Sequence, residues 1–410
     1  MKILLATFWE TPHVGGVWNY MQQLKDKLET LGHEVDFLSF GENHEFVHII
    51  NENRKIYRDA LLPKNISILM DQNYLPIDKD PVIHYYESRC NFFQLGANYL
   101  GLEPYDVIHT QDIFSTVCIN RIRSEKTALV ATLHGCVAHE LKSAYYSSKT
   151  LKKSFTKLGC DYFNQYEYEG ATSADCTIVA NEWMRNILTD EFKVPKEQLS
   201  VFHYGYDTES FLKRVEEKTE IQRPADKKVI IYTGRLNEFK GVHHLIGALS
   251  ELKKTRNDWV CWIVGHGPKE MDLKNKSKAM GLESNVAFMG RRDDIPYLLS
   301  ISDIFVLPTL MENQPLSVIE AQIAGKAVIA SDVGGVPEII EHGVTGVLTP
   351  AGDAQMLCIN INYLLEHDQY RCRLGANAQK WGLEHWSPDK AVQNVLGAYE
   401  RAISKKKNSL

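Results

Sequence analysis

The chain has 410 residues, too long for one compact core and suited to two domains. Hydrophobic residues make up 44% and charged residues 24%, the balance of an ordinary globular protein, which excludes a largely disordered chain. The formal net charge of −6 argues against nucleic acid as the main partner.

The first residues, MKILLATFWE, meet a polar turn too soon for a signal segment and read as a first buried strand. No apolar run is long enough to span a bilayer, so a cytoplasmic location is expected. The eight cysteines (90, 118, 136, 160, 176, 261, 358 and 372) are scattered singly, with no Cys-x-x-Cys pair. Buried free thiols are expected, rather than disulfides or zinc ligands.

Strand-like runs are predicted at 2–8, 33–40, 106–111, 128–133, 176–180 and 200–204, then at 229–233, 259–264, 286–289, 303–307 and 327–331. Many are apolar on both parities, as strands covered on both faces are. Helical patterns lie between them, such as 17–31, with Val17, Tyr20, Met21, Leu24, Leu28 and Leu31 at helix spacing. The alternation predicts parallel sheets in two doubly wound, Rossmann-like α/β domains. The charged stretch 212–228 reads as a surface connection, and 41–85 shows no clear alternation. Domain limits are drawn at 1–206 and 207–385. A last helix is capped at Ser387-Pro388 and lies within 386–410.

Unusual residues cluster after the strands, where ligands of open α/β sheets bind. Gly15-Gly16 precede the first helix, which suits a phosphate at a helix start and equally an ordinary turn. Gly234-Arg235 and Lys240-Gly241 follow VIIYT and bring two cations to a strand–helix switch, the chemistry of a diphosphate site. After DIFVLPT comes Met311-Glu312-Asn313-Gln314-Pro315-Leu316, with Glu320 further on. Pro315 suits a first helical turn, and the two carboxylates suit vicinal hydroxyls. His134 ends ALVATL, where a cleft residue and a structural histidine are both compatible. Gly265-His266-Gly267-Pro268 and Ser331-Asp332-Val333-Gly334-Gly335-Val336-Pro337-Glu338 are further turns in the same setting. Asp78-Lys79-Asp80 matches a D-x-D string but reads as a solvated turn.

GRLNEFKG (234–241), VGHGP (264–268), MENQPLSVIEA (311–321), SDVGGVPEII with GVTGVL (331–348) and PHVGGVWNYMQQLKDKLETLGHEV near the N-terminus stand in one order along nearly the whole chain. By these motifs the chain resembles the retaining glycosyltransferases of family 4, which have the GT-B fold. The resemblance implies two Rossmann-like domains facing across a cleft, with the last helix crossing back to the first domain. It implies that Arg235 and Lys240 bind a donor diphosphate, that Glu320 holds a ribose, and that Glu312 holds the transferred sugar. It places His134 at the sugar's reactive side and Gly15 and Gly16 by the phosphates, with Gly265, Gly290 and Arg291 flanking the base. Asn313-Gln314-Pro315 stands where many relatives have a Gly-Phe-Gly or similar run, so that Asn313 and Gln314 set side-chain amides where the sugar hydroxyls lie, and Leu316 follows on the donor side.

The expected activity moves a hexose or N-acetylhexosamine from a nucleotide sugar, UDP-linked by preference, to a glycan, lipid-linked or small-molecule acceptor. Surface polysaccharide or cell envelope synthesis is the expected setting. No cofactor and no metal are expected. A nucleotide-sugar 2-epimerase and a non-catalytic nucleotide-sugar-binding protein are the alternatives. The basic stretch 142–157 reads either as a surface for peripheral membrane or phosphorylated-acceptor contact or as a solvated helical face.

Overall fold

In a computed structural model of the protein, the described residues are 1–12, 15–61, 80–147, 156–217 and 219–409. They form two units, Met1–His203 with Asp389–Leu410, and Tyr204–Pro388.

The first unit is built from β1 (Lys2–Glu10), α1 (Gly16–Thr30), β2 (Glu34–Phe40), β3 (Phe46–Ile49), β4 (Arg54–Tyr57), α2 (Pro81–Leu100), β5 (Val107–Thr110), α3 (Ile113–Ile122), β6 (Ala128–Leu133), α4 (Val137–Ser147), α5 (Lys157–Thr172), β7 (Cys176–Val179), α6 (Glu182–Asp190) and β8 (Leu199–Val201). Its strands lie in the order β4-β3-β2-β1-β5-β6-β7-β8. Six of its strands, from β2 through β1 to β8, pair in parallel as expected, and two antiparallel strands extend the sheet from the stretch 41–85, where the sequence shows no clear alternation. β3 pairs antiparallel with β2, and β4 antiparallel with β3. Both strands have only four residues and bury one side, so they lack the long apolar run that marks the central strands.

The second unit contains α7 (Thr208–Val215), β9 (Lys228–Thr233), α8 (Val242–Lys253), β10 (Trp259–Val264), α9 (Glu270–Ala279), β11 (Val286–Gly290), α10 (Ile295–Ser300), β12 (Ile304–Leu307), α11 (Leu316–Ile323), β13 (Ala327–Ser331), β14 (Val347–Thr349), α12 (Ala354–Glu366) and α13 (Asp368–His385). All its strand pairs are parallel, in the order β11-β10-β9-β12-β13-β14. This is a doubly wound order, and the chain reverses direction across the sheet between β9 and β12. β14, only three residues long, is an addition to the predicted strands.

The stretch 212–228 is not the connection between the units. Phe211 of α7 is buried in the second unit's core, and Leu212, Val215 and Ile221 pack on it. The division falls after His203 rather than after residue 206, because the Tyr206 N–H donates to the Trp386 carbonyl at 3.1 Å within the second unit. The chain then returns as α14 (Pro388–Ser409). Val392, Val395, Ala398, Tyr399 and Ala402, at helical spacing, pack into a first-unit core with Ile3, Leu5 and Met21.

All eight cysteines are free, and five are buried, while Cys160 and Cys358 are half-buried and Cys372 is exposed. The thiols are free as expected, but burial is incomplete at Cys160 and Cys358 and absent at Cys372 on α13. Among the described residues no helix is long and apolar enough to cross a membrane.

Candidate functional site

The reversal between β9 and β12 places two loops side by side at the carboxyl ends of the second sheet. One runs from Thr233 through Lys240 into α8, the other from Pro308 through Gln314 into α11. Backbone bonds tie them together. The Leu310 N–H donates to the Phe239 carbonyl at 2.7 Å, and the Thr309 hydroxyl donates to the same carbonyl at 3.0 Å. Gly241 seats this junction. Its φ is 62°, and a Cβ there would lie 1.9 Å from the Pro308 carbonyl oxygen, so only glycine lets the loops approach.

Across this junction Lys240 Nζ forms an ion pair with Glu312 Oε2. The two side chains are 24% and 14% exposed, so removing one partner costs more than at a surface pair, although the pair still reaches solvent. Arg235 is exposed and has no ion pair among the described residues. The site thus offers one cation already compensated and one uncompensated.

The Gly334-Gly335 turn carries Glu312 from behind. The Gly335 N–H donates to the Glu312 carbonyl at 3.2 Å. Gly334 has φ 61°, and a Cβ on it would meet that carbonyl oxygen at 1.8 Å.

Pro315 stands at the N-cap of α11, one position before the first helical turn expected for it. Asn313 and Gln314 are buried. Gln314 Oε1 accepts from the Tyr204 N–H at 3.2 Å, which leaves its Nε2 buried without a partner. Leu316 begins α11. Glu320, one turn later, accepts from the Tyr206 hydroxyl at 2.8 Å. Burial pushes the Glu320 carboxyl up to about 7, with the Tyr206 hydrogen bond and the Arg214 charge opposing the rise.

Gly265 and Gly290 continue the strand ends. The Gly234 N–H donates to the Val264 carbonyl at 3.0 Å, and the Gly265 N–H to the Gly290 carbonyl at 2.8 Å. Arg291 is exposed just beyond. The exposed His266 ring pairs with Glu270 on α9.

In the first unit the reversal lies between β1 and β5. Asp112 binds the end of β1 to the start of α3, accepting from the Phe8 N–H at 2.8 Å, the Thr7 hydroxyl at 2.9 Å and the Ser115 N–H at 2.7 Å. Gly15 is the N-cap of α1, whose first turn carries no acidic residue. His134 follows β6 directly, and its Nε2 lies 3.0 Å from Gln111 Oε1. Gln111 Nε2 donates to the His109 carbonyl at 3.2 Å, so Oε1 must face His134 as an acceptor. His134 therefore carries its proton on Nε2 and its lone pair on Nδ1. Burial lowers His134 to about 3, so the ring is neutral at ordinary pH. Tyr20 of α1 packs edge-on against it, with centroids 5.0 Å apart. His109 beneath it joins Tyr399 at 2.8 Å and Thr132 at 2.7 Å.

The sequence singled out Lys240, Glu312, Gln314 and Glu320 but missed Tyr206, Tyr20, Gln111 and His109. Their roles rest on contacts between distant strands and helices, for which local spacing carries no signal. Asp80 caps α2, accepting from the Val82 N–H at 2.9 Å and the Ile83 N–H at 3.2 Å. Asp78 and Lys79 lie outside the described residues. So do Lys149, Lys152, Lys153 and Phe155 of the 142–157 stretch, whose Lys142 and Lys157 are exposed on α4 and α5.

Residues 14–210 match the model of Glycosyltransferase Family 4, and residues 213–381 that of Glycosyl transferases group 1. The chain belongs to the family 4, group 1 glycosyltransferases. It is similar to N-acetyl-alpha-D-glucosaminyl L-malate synthase of Bacillus anthracis, 23% identical, with 97% of each protein covered. Solved structures share the fold of this glycosyltransferase. The sucrose-phosphate synthase of Thermosynechococcus elongatus superposes with a TM-score of 0.75 at 20% identity, covering 98% of this chain and 99% of that one. Anabaena Alr3699/HepE in complex with UDP does so with a TM-score of 0.67 at 19% identity, covering 98% and 100%. The GT-B fold follows from these likenesses.

Proposed function

We propose that this glycosyltransferase moves a hexosyl or N-acetylhexosaminyl group from a UDP-linked donor with retention of anomeric configuration and without a metal. The second unit holds the donor, and the first unit receives the acceptor. The observation that carries this reading is the Lys240–Glu312 pair beside the uncompensated Arg235, at the reversal of a doubly wound sheet. A diphosphate bound there exchanges ligands with the pair. Lys240 turns to the phosphates, and Glu312 is released toward the sugar hydroxyls.

Breaking the anomeric C–O bond builds negative charge on the leaving diphosphate. Fixed cations stabilise that charge more in the transition state than in the ground state. Gln314 Nε2, a buried donor without a partner, supplies a hydrogen bond to the transferred sugar. Glu320, held by Tyr206, accepts from the ribose diol. The leaving phosphate takes the acceptor's proton as the acceptor oxygen attacks on the same face. Arg291 and the strand ends at Gly265 and Gly290 line the base, and the bare start of α1 at Gly15-Gly16 offers a second anion-binding terminus. The UDP assignment draws support from HepE, whose structures include UDP and UDP-glucose complexes. Assembly of surface or envelope glycans on the cytoplasmic side is the proposed setting.

A thermal-shift panel of nucleoside diphosphates and nucleotide sugars, followed by product analysis with and without a chelator, tests the proposal. UDP and one UDP-sugar should stabilise the protein most, and an α-configured donor should yield an α-linked product unaffected by chelation. Stabilisation by GDP or ADP alone, an inverted product, or accumulation of an epimerised nucleotide sugar would each refute it.

Below about 7 Glu320 is protonated, and above it the carboxylate accepts two ribose hydroxyls. Affinity for a UDP-sugar, whose diphosphate diester does not titrate near neutrality, should rise through about pH 7 and level off above. Tyr206→Phe removes a bond that stabilises the carboxylate, so the break should move to higher pH. Calorimetric titrations across that range check both points, and a flat profile counts against Glu320.

His134, already neutral, should add no break to the kcat profile near neutrality. His134→Ala should nonetheless lower kcat by about 10²-fold with little change in donor KM, as expected for a lost transition-state contact. Steady-state kinetics across pH decides it.

A further inference from the structure

The first unit buries a cation that the transfer chemistry above does not use. Arg89, on α2, is 9% exposed. Its guanidinium lies over the rings of Tyr85 at 4.9 Å, Phe8 at 5.5 Å and Phe40 at 5.7 Å. Nη1 donates to the Tyr85 hydroxyl. Nε and Nη2 are buried and have no hydrogen-bond partner, and no ion pair joins Arg89 to a carboxylate among the described residues. Glu10, whose charge favours the guanidinium, is engaged by His44 Nδ1.

Two features of this arrangement point to a ligand. Nε–H and one Nη2–H project from the same edge of the guanidinium plane, the fork that takes two oxygens of a carboxylate or phosphate side-on. His44 supplies the second. With Nδ1 held by Glu10, its Nε2 is buried without a partner and donates to an anion only when the ring is protonated; the ring stands edge-on to Phe40 with centroids 5.0 Å apart. Both unpartnered groups therefore rest on the same Phe40 ring. Phe8 and Phe40 lie toward the carboxyl ends of the neighbouring strands β1 and β2, the end of an open α/β sheet where ligands bind. Aromatic faces compensate a buried guanidinium only in part, and a pair of donors taken from water calls for acceptors.

We propose that this edge of Arg89 receives an oxyanion of the acceptor substrate, a carboxylate or a phosphate, bound side-on with His44 beside it. The acceptor role rests on the reading of the first unit given above, whereas the anion site stands on its own geometry.

The test titrates the full chain with malate, inorganic phosphate and uncharged glycerol at low ionic strength. One or both anions should bind saturably and glycerol should not. Malate alone would indicate a carboxylate acceptor, and phosphate alone a phosphorylated one. Arg89→Gln, and Arg89→Lys, which keeps the charge but loses the fork, should each weaken anion binding by about 10-fold or more. UDP binding, measured on the same samples, should be unchanged in both variants. That control reports folding and separates failure of this site from failure of the donor reading. Binding of neither anion by the wild type, or equal anion binding by wild type and variants, overturns the proposal. A measurement on the wild type covers variants that do not fold. Bound anion should slow modification of Arg89 by butanedione, read by peptide mass spectrometry, and an unchanged rate overturns the proposal.

Discussion

Lys240→Ala is expected to lower kcat/KM for transfer on the order of 10³-fold, the scale of losing one preorganised group aimed at developing negative charge. Two effects compound. The leaving diphosphate loses a cation, and Glu312 loses the partner that compensates it. A partly buried carboxylate left alone also costs stability, less than the ~3–5 kcal/mol of a fully buried broken pair because Glu312 still reaches solvent. The double variant Lys240→Ala with Glu312→Gln separates the two. Removing both charges should return the melting temperature toward wild type while activity stays lost. Steady-state kinetics and thermal melts of the three proteins check this. Near-wild-type turnover in the single variant would remove Lys240 from the diphosphate site.

Gly334→Ala is expected to be nearly as damaging although Gly334 belongs to neither of the loops that carry the charged pair. A Cβ here meets the Glu312 carbonyl oxygen at 1.8 Å, far inside contact distance, and φ is 61°, so the turn must shift or Glu312 must move. The variant should lose about 2–4 kcal/mol of stability, in the range of a steric and backbone conflict at a special φ. It should also lose about 10²-fold in kcat/KM, because a displacement of about 1 Å in a positioned carboxylate has that scale of effect. Denaturant melts and kinetics on the same preparation measure the two. Gly281→Ala is the matching control. Gly281 has a similar φ of 67°, but a Cβ there meets nothing within 4 Å. It should cost stability modestly and leave activity intact.

Much of the architecture was legible because its signals are local. The central strands of both sheets are apolar on both faces, and the helices between them bury one stripe. What escaped was short or long-range. β3 and β4 alternate over only four residues, and β14 over three. The charged stretch 212–228 reads as a connection by composition, yet Leu212, Val215 and Ile221 pack, with Phe211 before them, on the second core. In the site, Arg235, Lys240, Glu312 and Glu320 stand out by type and spacing. Tyr206 lies 114 residues from the carboxylate it holds, and Gln111 lies 23 from His134, so neither partnership has a local signature.

The alternation of strand and helix, the two domains, the glycine turns and the identity of the charged residues are written locally in the chain. These follow from side-chain periodicity and backbone permissiveness, which act within a few residues. Packing set the rest: Lys240 neutralises Glu312, Gly334 carries Glu312, His134 is protonated on Nε2, and Arg89 is buried with one edge unpartnered. Each depends on which groups the fold removes from water together, and that is a property of packing between segments remote in the chain.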